Sequence, residues 1–323
     1  MTLALLYKLL AIVGVVALGW CVGKLRWLGD EQADPARVLS NAAFFIFAPA
    51  LLFRTTARID LSTLPWAMLA AFFVPAVGLL LAVYGWQRWR RPHSGLPVAA
   101  PAVRAITVTF GNSVQIGIPL AAALFGEAGL GLHLTVVSLH ALVLLAVLTT
   151  LVEMDLARES HGHDLWTMLR ATLRNTVVHP VVLPVLAGLA WNATGWALPA
   201  PVDEVLQVLG SAVVPLCLTL IGMSLAYLGL PRPLTAALGL CLLKLWVMPA
   251  LVLGVAHLGF GLSGVPLGVV VILAGLPAGS NALLFAQRYR AQEAETTAAV
   301  VLSTLAVVVN VPIWMAVLAW LAA

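Results

Sequence analysis

The chain has 323 residues, of which 62% are hydrophobic and 9% charged, and its mean hydropathy is +1.04. A soluble domain has about a quarter of its residues charged, so the composition excludes a soluble enzyme and reads as a polytopic membrane protein. The net charge of +4 is no nucleic-acid signal, because the basic residues fall in short loops rather than on one face.

A membrane-spanning helix needs about 20 apolar residues. That criterion predicts segments near 3–22, 38–53, 64–86, 104–125 and 129–151, then 177–196, 205–228, 233–256, 265–286 and 298–321. The first reads as a spanning helix and not a cleavable signal, since Lys8 interrupts it and no small-residue cleavage site follows. The longest polar stretch, Glu153 to Asn175, divides the chain into a first five-helix unit (1–156), a cytoplasmic connection (157–176) and a second five-helix unit (177–323). The cysteines at 21, 217 and 241 form no ligand or disulfide spacing and read as packing residues. Neither metal nor cofactor is expected. The His161, His163 and Asp164 patch reads as a solvated loop.

Thirteen of the 17 lysines and arginines fall in the connections after segments one, three, five, seven and nine. Only Arg54 and Arg58 lie in the others, while Lys8 and Lys244 are inside segments. The positive-inside rule therefore predicts odd-numbered connections in the cytoplasm and both termini outside. Five spans per half force the halves into opposite orientation. The predicted fold class is thus all-α, ten transmembrane helices in two inverted five-helix repeats.

Segments four and nine each contain a mid-span Gly-x-Pro, Gly117-Ile118-Pro119 and Gly275-Leu276-Pro277. Backbone freed from helical pairing in hydrocarbon must be buried in protein or line a polar cavity. Proline suits the first position of a new half-helix, where its missing N–H costs nothing. The two half-helices would then point away from each other, with their N-termini, each carrying roughly half a positive charge, facing a common point. An anion would be stabilised there by Asn112, Ser113, Gln115, Ser280 and Asn281 around Gly117, Pro119 and Pro277. Paired breaks at matching positions are a carrier's signature; the plainer alternative is two proline kinks with local polar repair. Pro49, Pro75, Pro184, Pro215, Pro249 and Pro312 read as kinks.

No carboxylate falls at the centre of a predicted span, which argues against a cation antiporter. Lys244 lies too deep to snorkel and is expected either to pair with segment-end carbonyls or to help bind a carboxylate. His140 is either a neutral packing histidine or a proton relay. A sodium- or proton-coupled symporter or antiporter of the same fold remains the alternative, with broken-helix carbonyls, Ser113 and Gln115 as its cation site. Membrane catalysis would need a convergent nucleophile, acid pair or metal set, and the spans contain none. A sensor would carry a larger soluble domain.

The stretches Phe47-Ala48-Pro49-Ala50-Leu51-Leu52-Phe53, Asn112 to Leu120, Val214-Pro215-Leu216 with Gly222-Met223-Ser224-Leu225, Leu276 to Asn281, Ala286-Gln287-Arg288-Tyr289 and Val301 to Leu305 occur in order along the chain. In these the chain resembles the auxin efflux carrier family of bacterial and plant transporters. The resemblance implies a scaffold part that forms a homodimer, and a transport part with two crossed, broken helices. It implies small organic anions as substrates: auxin in plants, malate or malonate in bacteria. It matches Asn112 and Pro119 to the first crossover, and Pro277 and Asn281 to the second. Without the long cytoplasmic loop of the larger plant exporters, the chain is similar to bacterial members, which implies the cell's inner membrane.

Overall fold

The computed structural model describes residues 3–29, 35–58, 65–91, 95–159, 182–228 and 234–322. The histidine-rich patch at 161–164, together with Arg170, Arg174 and Arg232, lies outside the described residues.

The described residues form helices and no strand. In chain order these are α1 (Leu3–Lys24), α2 (Pro35–Ala57), α3 (Trp66–Arg90), α4 (Ala100–Thr109) and α5 (Ile118–Glu159). Then follow α6 (Val182–Ala193), α7 (Ala200–Ser211), α8 (Val213–Leu228) and α9 (Thr235–Gly259). The last three are α10 (Gly264–Ala274), α11 (Ser280–Tyr289) and α12 (Glu293–Ala322). Four stretches are long and apolar enough to cross a membrane: Pro35–Ala57, Trp66–Arg90, Leu124–Leu156 and Thr235–Gly259. The pair Glu293–Val307 and Val309–Ala322, bent by 55°, makes a fifth. Pro312 accounts for that bend, because its ring cannot donate to the carbonyl four residues back and collides with it.

The 42 residues of α5 would reach about 63 Å if straight, twice the hydrocarbon thickness of about 30 Å. They do not run straight. Gly126, at φ 65° and ψ −162°, turns the chain back, so that His133 reaches the Ser113 carbonyl, 20 positions away.

Three π turns share one cause. Ala43–Phe47, Ser113–Gly117 and Leu243–Val247 each end two residues before a proline, at 49, 119 and 249. Proline has no N–H to offer and crowds the carbonyl four residues back. In α2 and α9 the preceding residue bonds one position further back than in an α-helix, Ala48 N–H to Ala43 and Met248 N–H to Leu243. The helix widens at these prolines without breaking. Pro49 and Pro249 are therefore not sharp kinks.

The tightest helix pair is α1 against α8. A Cβ on Gly19 would stand 2.1 Å from the Thr219 carbonyl oxygen, and one on Gly222 2.0 Å from that of Val16. Lipid-embedded helices associate through such close packing, since lipid tails remove the hydrophobic drive between them. Beside this pair, α2 packs against α6 and α7. The main core lies among α3, α4, α5 and α9–α12, around Phe72, Leu80, Ile106, Leu144, Val270 and Phe285, all at most 2% exposed.

Ion pairs bind the helix ends. At one end, Asp155 accepts from Tyr84 at 2.5 Å and pairs with Arg88 at 2.8 Å. Arg104 makes a two-pronged bond to Glu295, and Tyr289 donates to Glu153. At the far end of α2, Arg54 forks onto Asp203 at 2.8 and 3.1 Å, with Arg58 beside it. The Arg54 hydrogen bond, aided by the charges of Arg54 and Arg58, holds the Asp203 carboxyl below the usual carboxylate range. A depressed carboxyl stabilises the fold above its unfolded pKa and loses that contribution as pH falls through its folded value. The thermal midpoint of Asp203→Asn should therefore lie slightly below native at pH 6. The two midpoints should converge below about pH 4, the ordinary range for aspartate. A difference independent of pH would assign the clasp to shape instead of charge.

Candidate functional site

Helix α4 stops because Phe110 turns extended, at φ −85° and ψ 106°. Helix α10 stops at Ala274, and the chain stays non-helical until Ser280. The two interruptions lie across one another as an antiparallel bridge between Gly111 and Ala278. Asn112 N–H donates to the Pro277 carbonyl and Gly279 N–H to that of Phe110, both at 2.8 Å. Glycines permit the crossing: a Cβ on Gly279 would stand 2.9 Å from the Gly111 oxygen, and one on Gly111 3.3 Å from that of Leu273.

This moves the first break. The sequence expectation put it at Gly117-Ile118-Pro119, but those residues are helical, completing the π turn and opening α5. The interruption is five to nine residues earlier, at 110–112. Pro119 widens its helix in the manner of Pro49 and Pro249. Gly117 has a packing role: a Cβ there would stand 2.6 Å from His133 Nε2 and 2.8 Å from Leu276 Cδ1. The second break is where the sequence placed it. Pro277, however, sits in the extended stretch, three residues before α11, and not at the first position of the new half-helix.

Hydrogen bonds account for the freed backbone. Lys244 Nζ donates to the Ala274 carbonyl at 2.6 Å and Asn310 Nδ2 to that of Gly275 at 2.7 Å. Ala278 N–H donates to Ser303 Oγ, which donates onward to the Val300 carbonyl. His133 Nε2 lies 2.7 Å from the Ser113 carbonyl. A carbonyl can only accept, so that nitrogen carries the hydrogen. No lipid or water is needed to satisfy these groups, as spanning structures require.

Lys244 is 1% exposed. Of its two expected partners, the structure contains the segment-end carbonyl: the ammonium caps the negative end of α10, where a cation is favoured. It also adjoins the first break, since a Cβ on Gly111 would stand 3.5 Å from Nζ. His140 is buried between the rings of Phe110 and Phe72, with centroids 4.3 and 5.7 Å away, and neither ring nitrogen has a hydrogen-bond partner.

Beside the bridge, a cavity of about 50 Å³ is lined by Phe110, Gly111, Asn112, Ser113, Gly279, Ser280 and Asn281. Ala48, Leu51 and Leu52 of α2 and Val213 of α8 close it. The half-helices beginning at Ser113 and Ser280 both present their N-terminal residues here, where the positive partial charge of a helix start favours an anion. Of the predicted site residues, the structure gathers Asn112, Ser113, Ser280 and Asn281 at this cavity. Gly117, Lys244 and His140 are not among its lining residues, although Lys244 adjoins Gly111 and His140 adjoins Phe110, both of which line it. The side chains of Gln115 and Pro119 lie outside the described residues. Among the described residues, no carboxylate lines the cavity. A larger hollow of about 970 Å³ lies between α3 and α9; of its charged groups, Arg104 and Glu295 pair with each other and Arg90 stands over the Trp86 ring, 5.0 Å from its centroid.

Sequence reasoning did not find Gly111, His133, Ser303 or Asn310. For Gly111 the signal was a Gly-Asn pair after a β-prone phenylalanine, a turn-forming combination inside an apolar run. The other three carry no local signal, because each serves backbone in another helix.

The sequence profile of a family described as "membrane transport protein" matches residues 4–315. An "uncharacterized transporter" of Methanothermobacter thermautotrophicus is 26% identical over 313 residues, covering 96% of this chain and 97% of its own. A "putative malonate transporter" of Rhizobium meliloti is 24% identical over 307 residues, covering 94% and 92%.

Proposed function

Because the chain belongs to the membrane transport protein family, the auxin efflux carrier family that its motifs resemble, we propose that it carries small organic carboxylates across the inner membrane by alternating access. The observation that carries this reading is the convergence of two half-helix N-termini, at Ser113 and Ser280, on a cavity whose polar lining, among the described residues, is amides and hydroxyls without an acid. A carboxylate there replaces water with the amides of Asn112 and Asn281, the hydroxyls of Ser113 and Ser280 and the positive helix ends, and needs no buried arginine. The name of the Rhizobium relative favours malonate, a small dicarboxylate, as the first substrate to test.

In this reading the helices form ten spans in two inverted five-helix repeats, with both termini outside and a homodimer formed through the scaffold. Alternation exposes the crossover to each side in turn. The cavity of about 50 Å³ holds only a few waters, at roughly 10–15 Å³ each. Loading an organic anion therefore requires α2 and α8 to draw back from the breaks. Purified protein in liposomes should take up labelled malonate, malate or a related carboxylate against a protein-free control. Failure across a panel of mono- and dicarboxylates would overturn the proposal.

A second reading couples this carriage to a proton, and His140 favours it: its buried, unpartnered imidazole abuts Phe110 at the first break. In that case an imposed pH gradient should drive uptake several-fold by the native protein, and His140→Gln should keep uptake without responding to the gradient. An unchanged response in the variant would leave His140 as a packing residue.

A further inference from the structure

We propose that a basic vestibule between α2 and α11 collects the carboxylate substrate on its way to the crossover. The inference rests on the carrier reading above and adds a second anion site to it. A cavity of about 280 Å³ lies at the end of the molecule that the lysine and arginine count assigns to the cytoplasm. Arg37, Arg288 and Arg290 line it together with Ser40, Asn41 and Gln287. Among the described residues, its lining holds three guanidinium groups and no carboxylate.

The vestibule and the crossover cavity share the same two walls. On α2, Phe44 lines the vestibule and Ala48, one helical turn on, lines the crossover cavity. On α11, Leu284 lines the first and Ser280 and Asn281, one turn back, line the second. A turn rises about 5.4 Å, so a single layer, Phe44 and Leu284, separates the hollows. Ser40 Oγ donates to Gln287 Oε1 across the same gap, tying the walls together below that layer. Drawing α2 back from α11 would open one continuous path from the guanidinium groups to Asn281.

Arginines at helix ends are ordinary at a membrane surface and complement the helix dipole. That accounts for Arg288, in the last turn of α11. It does not account for Arg290. This residue closes α11 in the left-handed conformation, at φ 49°, in the place where glycine is the usual choice. A non-glycine residue there costs free energy, and what the chain retains for it is a cation facing the hollow. A positive cleft raises the local concentration of anions and speeds their capture, and salt screens the effect.

The test is initial carboxylate uptake into inside-out vesicles, at low and high ionic strength. Arg290→Gly removes the charge and relieves the left-handed backbone, so its thermal midpoint should equal or exceed native. Its kcat/KM should still fall about threefold at low salt, and that of the triple variant Arg37→Gln, Arg288→Gln, Arg290→Gln about tenfold. Both differences should collapse at high salt as the native value drops to meet them. The same anionic chemistry would fit a lipid headgroup, so the assay is run in purely zwitterionic and in anionic lipid. Loss confined to anionic lipid would assign the hollow to lipid and overturn the proposal. So would an unchanged kcat/KM in the triple variant, or a loss indifferent to salt. Carboxylate uptake absent in the native protein would instead overturn the carrier reading itself.

Discussion

Replacing Asn112 or Asn281 by alanine is expected to cut carboxylate flux in liposomes by about 10- to 100-fold, and replacing both to abolish it. A hydrogen bond to a charged partner contributes about 1.5–3 kcal/mol, and each 1.4 kcal/mol is about tenfold. Asn112 is 4% exposed and has its side chain at the cavity, while its backbone N–H is committed to Pro277. Alanine keeps that backbone bond, so the crossing should persist and the thermal midpoint should move little. This separates loss of the ligand's partner from loss of the fold. Native flux in both single variants would show that the carboxylate binds elsewhere.

The second large effect is expected at Gly279. Its backbone, at φ −79° and ψ 154°, is one any residue adopts, so alanine brings no conformational strain. The cost is steric. The added Cβ would stand 2.9 Å from the Gly111 oxygen, a contact real side chains essentially never make, and 3.1 Å from Phe110 Cδ1. The segments must separate, which breaks both 2.8 Å bridge bonds and strands four buried backbone groups. At about 1–3 kcal/mol for each unsatisfied group, the penalty rivals a typical stability of about 5–15 kcal/mol. Gly279→Ala should therefore lower the yield of monodisperse protein, and what folds should transport at least about 100-fold more slowly. A variant with native yield and flux would mean that the crossing can slide without functional cost.

The four apolar spans were legible because hydropathy is a property of long windows and survives local irregularity. The break at 275–279 was legible because glycine, proline, alanine and glycine crowd into five residues there. The first break was misplaced for a physical reason: Pro119 is the stronger sequence signal, yet a helix absorbs a lone proline by widening one turn, as it does at Pro49 and Pro249. Phe110-Gly111-Asn112 interrupts its helix without any proline, held open by Pro277 and Gly279 on the approach to α11. The gathering of Asn112, Ser113, Ser280 and Asn281 at one cavity was legible by type and position, because polar side chains beside loosened backbone in an apolar run are expensive without a purpose. Ser303, Asn310 and His133 were not, since their partners become neighbours only after folding.

The bridge also orders events during synthesis. Gly111 and Ala278 are 167 positions apart, so the first five helices leave the ribosome well before the partners of Phe110 and Asn112 exist. Until residues 275–279 arrive, this interruption would have an unpaired carbonyl and N–H inside hydrocarbon, which lipid does not tolerate. The first half therefore enters the bilayer incomplete. Either 100–125 waits as a continuous helix and is unwound later, or it stays beside the insertion machinery. A chain truncated after 159 should be far more sensitive to membrane proteolysis than the whole, because its instability is written into the missing half.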